Sequence, residues 1–512
     1  MLGLQETPDL HWHGLGLLAP ELTLVATSLV VLVMDLVWKE RDSWRLGAIS
    51  LVGLAAAAFQ LVGAGATQDT AFGLVAIDSF GGFFKLFTCA ATAASILFVM
   101  LDRRERRHRI GEYYFLLLGA AIGIFFMVST NNLLLLILGL ELASLSSYSL
   151  SGFHKGEKRS AEAAMKYVVF GGLSAGVMVF GISLLYGATG TLDLRVMSGA
   201  LEADPVGEGV ARSLAMAIDQ SPAMVALAMV LILGGFSYKI SAAPFHFWAP
   251  DVYEGAPMPV TTFLAVASKA GGFGALLRFF GMLFVAPGVD EAVAEYRDQI
   301  GALLALVAAV TMTLGNLAAV RQESVKRMLA YSSVAHAGYV LAGLAAMNVV
   351  GLQAAMFYLA AYYFMNLGAF GFLLYFTGVT GRETYESLRG MGPKAPLITV
   401  PMVVFLVSLT GIPPTVGFIG KYKLFDAMLE SSAGLGWLAV LLGVNSAISL
   451  YYYLRVAKVL FLETSDDPEP LPQPQMAGFL VAMAVLTIWF GIFWNPLYEW
   501  ASQSMDLLAV VP

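Results

Sequence analysis

Fourteen long apolar stretches constrain the fold of this 512-residue chain more than any other feature. A helix needs about 20 mostly apolar residues to cross a bilayer whose hydrocarbon core is about 30 Å thick. Backbone groups inside lipid must bond to one another, so each stretch is predicted to be a membrane helix and the fold all-α and polytopic. The stretches, numbered 1 to 14, are 16–38, 44–64, 78–101, 112–129, 131–152, 162–188, 222–247, 257–283, 297–320, 328–347, 351–379, 397–430, 434–463 and 475–500.

The composition agrees with a membrane protein and excludes several other classes. Hydrophobic residues make up 58% of the chain and charged residues 13%, whereas soluble proteins average about 45–50% and about 25%. A soluble enzyme, a disordered chain and a nucleic-acid binder are therefore excluded, the last also because the net charge is −7. The only cysteine, Cys89, excludes a disulfide framework and a zinc–thiolate or iron–sulfur site within this chain.

The positive charges fall mainly on one side of the predicted helices. If the side reached after stretch 1 is called the inside, the inside loops and helix ends carry 19 Lys and Arg residues, and the outside loops carry 3. Cytoplasmic loops of membrane proteins carry such an excess. The bias predicts a multi-pass protein with both termini on the outside, which is the periplasmic side in a bacterial inner membrane or the equivalent side in an organelle.

Four ionisable residues lie deep within predicted helices, where charges are costly. They are Glu141 in stretch 5, Lys239 in stretch 7, Lys269 in stretch 8 and Lys421 in stretch 12. A lysine at the bilayer midplane costs about 2.5–3.5 kcal/mol on insertion scales, so such residues are functional candidates by default. The simpler interpretation is a set of ion pairs that only hold helices together.

His336 is the fifth candidate for proton transfer, and His246 and Lys166 are secondary candidates. His336 lies in the polar stripe YSSVAHAGY and is interpreted as either lining water or packing as a hydrogen-bonded core residue. His246 follows Pro244 in APFHFWAP, as either a proton relay or a partner for the broken backbone. Lys166 lies about one turn inside stretch 6, where snorkelling, a functional role and pairing with Glu141 all stay open.

The other charges within the stretches are given structural interpretations. Lys85, Arg278 and Lys423 are expected to snorkel or to pack between helices, and Glu21 is expected at the membrane interface. No metal site is predicted in this chain.

Two helices combine a proline break with a lysine. Stretch 7 contains LILGGFSYKISAAPFHFW, and stretch 12 contains FLVSLTGIPPTVGFIGKYK. A proline inside a helix removes a hydrogen bond and frees a carbonyl. Transporters use such discontinuous helices to build ion sites near the midplane.

The two broken helices are five stretches apart, which predicts an internal repeat. Because five is an odd number of spans, the two five-helix units would have opposite orientations. The predicted organisation is helices 1–3 in 1–110, a first unit in 111–284, a second, inverted unit in 285–463, and a linker with the last helix in 464–512. Glu141 then corresponds to His336, and Lys239 to Lys421.

A row of buried Glu, Lys and His groups on broken helices suits proton transfer across a membrane. Burial and neighbouring charges can move the proton affinity of these side chains. A buried lysine can release and rebind a proton near neutral pH, which arginine cannot do.

Three segments resemble a known family. SAAPFHFWAPDVYEGAPMPVTTFLAVASKAGG, RMLAYSSVAHAGY and LTGIPPTVGFIGKY are similar to the antiporter-like membrane subunits of respiratory complex I, a superfamily that includes Mrp-type cation/proton antiporter subunits. The resemblance covers essentially the whole chain. The lysine of GIPPTVGFIGKY and the chain length resemble the subunit N type, because subunit M usually has a glutamate at that position and subunit L is longer.

The resemblance implies one proton-pumping module of an NADH:quinone oxidoreductase. NADH, FMN, iron–sulfur clusters and quinone would be bound by partner subunits, and this chain would hold no cofactor. The implied partners are neighbouring antiporter-like and small helical membrane subunits. The resemblance implies that Glu141 and Lys239 form a pair that responds to redox chemistry. It also implies that Lys269 is the central lysine, His336 a relay and Lys421 the exit-side lysine. Lys166 falls where the family often has a lysine.

Two alternatives stay open at this level. A subunit of a Mrp-type sodium/proton antiporter would use the same lysines, although a sodium site should show clustered oxygen ligands beside a break. Thr410 and Thr415 are there, but the nearest Asp, Asp426, is about three turns further on. A structural scaffold is the second alternative, in which the charges only lock helices together.

Overall fold

The computed structural model describes residues 14–38, 43–64, 69–102, 110–199, 213–285, 293–464 and 473–505. Several positions used for the predicted orientation lie outside these residues. They are both chain ends and the basic residues of 39–42 and 103–109.

Helices account for most of the described chain and follow the predicted stretches. The helices are α1 Ala19–Val37, α2 Ser43–Ala64, α3 Ser79–Leu101, α4 Ile110–Ser129, α5 Leu133–Ser151, α6 Lys158–Thr189, α7a Pro222–Ile240, α7b Trp248–Gly255, α8 Met258–Phe284, α9 Ala294–Val320, α10 Val325–Ala345, α11 Val349–Thr380, α12a Pro396–Thr410, α12b Val416–Glu430, α13 Gly436–Phe461 and α14 Pro474–Ile492. Shorter helices are Leu194–Met197, Leu214–Gln220, Glu386–Leu388, Met391–Lys394 and Asn495–Met505.

Among the described residues, 13 helices are long and apolar enough to cross a membrane. The difference from the predicted fourteen is stretch 12, which forms two helices of 15 residues each, α12a and α12b. Gly411 has a left-handed backbone (φ 87°) and is followed by Pro413 and Pro414, which cannot continue an α-helix. Stretch 7 is also divided, because α7a ends at Ile240 and α7b begins only at Trp248.

A short β-hairpin departs from the all-α expectation. Strand β1, Asp69–Ala71, pairs antiparallel with strand β2, Val75–Ile77. The hairpin joins α2 to α3 outside the predicted membrane stretches. Its three-residue strands carry too little periodicity to be recognised from sequence.

Helices α8, α10 and α11 form the centre of the molecule. In each of these helices 94% of the most apolar 18-residue segment is buried inside the protein. The corresponding share is 33% in α1, α2 and α6, whose other faces are left for lipid. The centre therefore consists of the helices that carry Lys269 and His336, and of α11, which packs beside them.

Glycines bring two helix pairs into close contact next to candidate site residues. A Cβ at Gly123 in α4 would lie 2.4 Å from the Ala143 backbone nitrogen in α5, and a Cβ at Gly338 in α10 would lie 2.5 Å from the Met312 nitrogen in α9. Small residues allow membrane helices to approach in this way. The α4–α5 contact fixes the depth of Glu141, and the α9–α10 contact fixes that of His336.

Candidate functional site

The first helix break, residues 241–247, has its helix end satisfied by neutral groups. Ser241 has a left-handed backbone (φ 62°), and the Ala242 N–H donates to the Ser237 carbonyl at 2.7 Å, which closes α7a as a Schellman turn does. The Trp248 indole N–H donates to the Tyr238 carbonyl at 3.0 Å. These bonds leave the Lys239 ammonium free to point elsewhere.

The break is also tied to the second half of the chain. The Ala243 N–H donates to Thr311 Oγ1 of α9 at 2.9 Å. The peptide bond between Ala243 and Pro244 is cis. An irregular backbone at membrane depth is tolerated when protein groups satisfy it in this manner.

Lys239 reaches toward Glu141 through a serine. Its Nζ donates to Ser144 Oγ at 3.2 Å. Ser144 follows Glu141 by three residues and shares its face of α5. Glu141 Oε1 is buried without a hydrogen-bond partner, and the two charges interact electrostatically. Among the described residues, no carboxylate lies within 4.0 Å of the Lys239 ammonium, so Lys239 bonds Ser144 and forms no direct ion pair with Glu141.

The stem of Lys239 packs against the helix of the next lysine. A Cβ at Gly272 would lie 3.0 Å from Lys239 Cγ. Gly272 is three residues after Lys269 in α8, so the absence of a side chain there lets α7a approach the lysine-bearing turn.

Lys269 points to the second half of the chain. A π-helical turn, Leu264–Ser268, immediately precedes it, and such turns are frequent at functional sites. Lys269 Nζ donates to the Ser333 carbonyl at 2.5 Å and also to Ser333 Oγ. The Tyr362 hydroxyl donates to the same Ser333 Oγ at 2.9 Å.

His336 lies one turn beyond Ser333 on α10 and is 2% exposed. Its Nδ1 is 2.6 Å from the Tyr358 hydroxyl and its Nε2 is 3.2 Å from the Tyr453 hydroxyl. A neutral imidazole has one donor and one acceptor, and a hydroxyl can serve either. Both ring nitrogens therefore have partners that can exchange roles.

The second helix break, residues 411–415, ends α12a with the same type of turn as the first. Gly411 supplies the left-handed residue, and the Ile412 N–H donates to the Val407 carbonyl at 3.2 Å. Pro413 and Pro414 are joined by a cis peptide bond. The two breaks therefore share a Schellman-type ending.

The Lys421 ammonium bonds the last carbonyl groups of α12a directly. Its Nζ donates to the Leu409 carbonyl at 3.0 Å, to the Thr410 carbonyl at 2.8 Å and to Ser446 Oγ at 2.9 Å. The ammonium also lies 4.6 Å from the centre of the Tyr339 ring. All three of its N–H donors are used, and the negative end of the helix dipole favours the positive charge.

More than half of the chain matches a known protein family. A family model described as NADH:quinone oxidoreductase/Mrp antiporter, TM, matches residues 130–449. The chain belongs to this family. The matched range contains Glu141, Lys239, Lys269, His336 and Lys421.

Individual relatives extend over nearly the whole chain. NADH-quinone oxidoreductase subunit N 2 of Sorangium cellulosum is 41% identical over 97% of this chain and 98% of its own length. A chain of respiratory complex I from Thermus thermophilus is 33% identical with a TM-score of 0.76, covering 94% of this chain and 98% of that chain. A chain of the Mrp complex from Dietzia sp. DQ12-45-1b is 20% identical with a TM-score of 0.75, covering 98% of each, which shows a shared fold.

His246 lies in the first break of this family member. The residue is 7% exposed, and its Nδ1 is buried without a hydrogen-bond partner. The break itself is satisfied by Trp248 and Thr311, so His246 is not needed to satisfy those backbone groups.

Lys166 belongs to a network of ion pairs at the inside ends of the helices. It pairs with Glu162 at 2.7 Å and with Asp251 at 2.6 Å, and its side chain is 36% exposed. Arg327 continues the network from Asp251 at 2.9 Å to Glu254 at 2.6 Å. The open alternative that Lys166 partners Glu141 is wrong, because two nearer carboxylates hold it at the helix start.

Lys85 and Arg278 pack between helices, which is one of the two interpretations given to them from the sequence, and neither snorkels. Lys85 forms a buried ion pair with Glu21 at 2.6 Å, with exposed side-chain fractions of 4% and 2%. Arg278 forms paired hydrogen bonds to the Asp78 carboxylate, both at 2.7 Å, and is 2% exposed. In each case a partner far away in sequence makes burial tolerable.

Two other lysines have packing roles. Lys423 lies 4.8 Å from the Trp494 ring centre and 4.5 Å from that of Tyr498, in agreement with helix packing. Lys326, which the sequence places in an inside loop, is 3% exposed and donates to the Ala256 carbonyl at 2.9 Å beyond the end of α7b.

The sequence reading missed the hydroxyl groups that join the charged residues. Four hydroxyl groups that bond candidate residues are not predicted from the sequence; they belong to Ser144, Tyr358, Tyr453 and Ser446. Helical spacing was a usable indication only for Ser144, which is on the Glu141 face. The others come from distant helices. In the described part of the chain, no group of three or more His, Cys, Asp or Glu side chains is placed to hold a metal ion.

Proposed function

We propose that this chain is a proton-translocating membrane subunit of an NADH:quinone oxidoreductase and that Glu141, Lys239, Lys269, His336 and Lys421 carry the protons. The observation that carries the proposal is a row of ionisable groups between the two broken helices. All of them are buried except Glu141, which is half-buried, and hydroxyl-bearing side chains link them in part. The named relatives at 41% and 33% identity support the same activity.

The first step is a change of contact at Lys239. The ammonium is shared between Ser144 Oγ and the charge of Glu141. When redox chemistry in partner subunits alters the charge near Glu141, the attraction that keeps Lys239 protonated weakens. Lys239 then gives up its proton toward Lys269, whose helix it contacts at Gly272.

The second step crosses from the first half of the chain to the second. Lys269 bonds Ser333, and His336 follows on the same face of α10. Tyr362 donates to the Ser333 hydroxyl, and Tyr358 and Tyr453 lie on the two ring nitrogens of His336. Reorientation of these hydroxyl groups allows a proton to be received on one side and released on the other.

The third step ends at Lys421. Tyr339 contacts the His336 ring, with 5.2 Å between ring centres, and the Lys421 ammonium lies 4.6 Å from the centre of the Tyr339 ring. No hydrogen bond joins His336 to Lys421 among the described residues, so this transfer requires water to enter between them. Lys421 is the proposed exit-side group.

The two halves are proposed to form inverted five-helix repeats, α4–α8 and α9–α13. Both halves contain a broken helix with a Schellman-type end. Both contain a glycine-mediated contact between their first two helices, at Gly123 and at Gly338. The proposed domain limits are 1–110, 111–284, 285–463 and 464–512.

The membrane helices and the bacterial relatives indicate a multi-pass inner-membrane protein. We propose that both termini are periplasmic, from the charge bias, and that neighbouring antiporter-like and small helical subunits flank the chain. NADH, FMN, iron–sulfur clusters and quinone are assigned to partner subunits.

A sodium/proton antiporter is less well supported. The hydroxyls of Thr410 and Thr415 donate to carbonyls within their own segment, at 2.8 and 2.7 Å. The Lys421 ammonium already occupies the Leu409 and Thr410 carbonyls that a sodium ion would need. The likeness to the Mrp chain, at 20% identity, extends to fold alone.

The test is isolation of the complex that contains this chain, followed by reconstitution in proteoliposomes. NADH-driven quinone reduction, flavin and iron should co-purify with the chain, and NADH should acidify the liposome interior. A Lys269→Met variant should assemble and yet move fewer protons per NADH. Isolation without flavin or iron, with sodium-dependent proton exchange instead, would contradict the proposal.

A further inference from the structure

A polar cavity lies at the inside end of α13, away from the row of buried charges. Its volume is about 600 Å³, and it lies between the start of α10, the segment before α12a and the end of α13. Three basic and three acidic side chains line it, together with two tyrosines. The charged ones are Arg389, Arg455, Lys458, Glu323, Glu386 and Glu463.

An apolar groove adjoins this cavity. Its volume is about 550 Å³, and Leu454 and Lys458 belong to the walls of both. The rest of the groove is formed by α12a and α13, without another charged residue. Its remaining lining residues are Val400, Val403, Val404, Ala457, Phe461 and Leu462.

The basic groups of the cavity are held by partial partners. Arg389 Nε lies 2.9 Å from Glu463, and the Lys458 ammonium lies 3.7 Å from the same carboxylate. Arg455 is 3.4 Å from Glu323 and stacks 4.1 Å from the centre of the Tyr385 ring. Two of these ion pairs are long, so their cations keep donors for another anion.

The acidic groups give the cavity its second property. Glu386 has no basic partner within 4.0 Å among the described residues. The cavity therefore offers a cation site as well as an anion site, and its charged lining is balanced. An anion alone would face three carboxylates, and a cation alone would face three basic groups.

We propose that the cavity and groove together bind one zwitterionic phospholipid. Its phosphate lies between Arg389, Arg455 and Lys458, its ammonium lies against Glu386, and an acyl chain fills the groove between α12a and α13. The balanced charge favours a headgroup with both signs over an anionic one, and the adjoining groove distinguishes a lipid from a free phosphate. The charge bias places the site in the cytoplasmic leaflet.

The test is the phospholipid content of the purified complex, measured by mass spectrometry after repeated detergent washing. The double variant Arg455→Gln/Lys458→Gln, the groove variant Ala457→Trp and Glu386→Gln should each lose about one phosphatidylethanolamine per complex, as loss of one site requires. Arg382→Gln and Val444→Trp, exposed positions that do not line the cavity or groove, should lose none.

A second measurement serves any variant that does not assemble. Phosphatidylethanolamine with a photoactivatable acyl chain should label α12a or α13 in the unaltered complex, and unlabelled phosphatidylethanolamine should compete better than phosphatidylglycerol. Three results would overturn the proposal: unchanged lipid content in all variants, loss or preference of an anionic lipid instead, or cross-linking of Ala457→Cys to a neighbouring subunit. The lipid content does not depend on turnover, so this test is independent of the proposed function.

Discussion

The two broken helices end in the same way but use their lysines differently. Both α7a and α12a close with a Schellman-type turn. In the first break the Tyr238 carbonyl accepts from the Ser241 N–H and from the indole of Trp248, and Lys239 bonds Ser144 near Glu141 instead. In the second break Lys421 itself bonds two carbonyls of the helix end.

This difference separates a lysine beside an ionisable carboxylate from a lysine bonded to the end of a helix. The environment of Lys239 includes a carboxylate whose own charge can change, so its attraction for a proton can be switched. The groups that bond the Lys421 ammonium are two backbone carbonyls and a serine hydroxyl, and no carboxylate lies within 4.0 Å of it among the described residues. On the proposed function, the first break would control the release of the proton and the second would hold the exit-side lysine.

The largest structural effect is expected from removal of the Lys421 ammonium. Lys421→Met leaves the Leu409 and Thr410 carbonyls buried without this donor, and each unsatisfied group costs about 1–3 kcal/mol. The thermal midpoint of the complex should fall clearly, and proton pumping should be lost. Lys239→Met is the matched control, because it frees no helix-end carbonyl and should lower the midpoint much less. Equal destabilisation by the two variants would contradict the comparison.

Removing the indole donor should give a smaller loss of stability. Trp248→Phe removes one of the two hydrogen bonds of the Tyr238 carbonyl, which keeps the Ser241 N–H at 3.0 Å, at a cost of about 0.5–1.5 kcal/mol. Urea denaturation of the complex would measure it, with Trp437→Phe, at a position that is 51% exposed, as the control. A stability equal to that of the control would show that the indole does not support the break.

Coupling between Glu141 and Lys239 should appear in a double-mutant cycle. Glu141→Gln and Lys239→Met should each reduce the proton-to-electron ratio, and the double variant should lose less than the sum. Groups that act as one unit show interaction energies of about 0.5–3 kcal/mol. If the losses in proton-to-electron ratio of the two single variants simply added in the double variant, Glu141 and Lys239 would not function as a unit.

The relay around His336 offers a finer test. Tyr453→Phe removes the hydroxyl from His336 Nε2 and from Ser332, and it should slow proton transfer without altering quinone binding. Tyr451→Phe, on the same helix but 62% exposed, should have no effect. A solvent isotope effect on turnover, larger in the Tyr453 variant, would locate the slow step at this hydroxyl.

The smallest effect is expected at Lys166. Partly exposed ion pairs contribute about 0–1 kcal/mol, so Lys166→Met should change stability little. Proton pumping should also persist, because Glu162 and Asp251 hold this lysine away from the row. A pumping defect as severe as that of Lys239→Met would show that Lys166 takes part in proton transfer.

The sequence predicted the fold and the charged positions well because both depend on local composition. Membrane helices need long apolar runs, and a Lys or Glu within such a run is conspicuous. The confirmed statements are the helical membrane fold and the family. The proton-carrying roles and the inverted repeat stay predictions.

The partners of the charges were not predictable in the same way. Glu21 and Lys85 are 64 residues apart, and Asp78 and Arg278 are 200 apart, so no helical spacing relates them. Ser446 and Tyr453 reach the row from α13 through tertiary packing. The exact end of α7a was not predictable either, because the Schellman turn at Ser241 closes the helix before Pro244 is reached.

The most direct measurement is the number of protons moved per NADH by a complex that carries Lys421→Arg. Arginine retains a positive charge and N–H donors for the end of α12a, but it does not release its proton. The account predicts an unchanged thermal midpoint and fewer protons per NADH in proteoliposomes. An unchanged midpoint with an unchanged proton ratio would contradict it, because Lys421 would then hold the helices together without carrying protons.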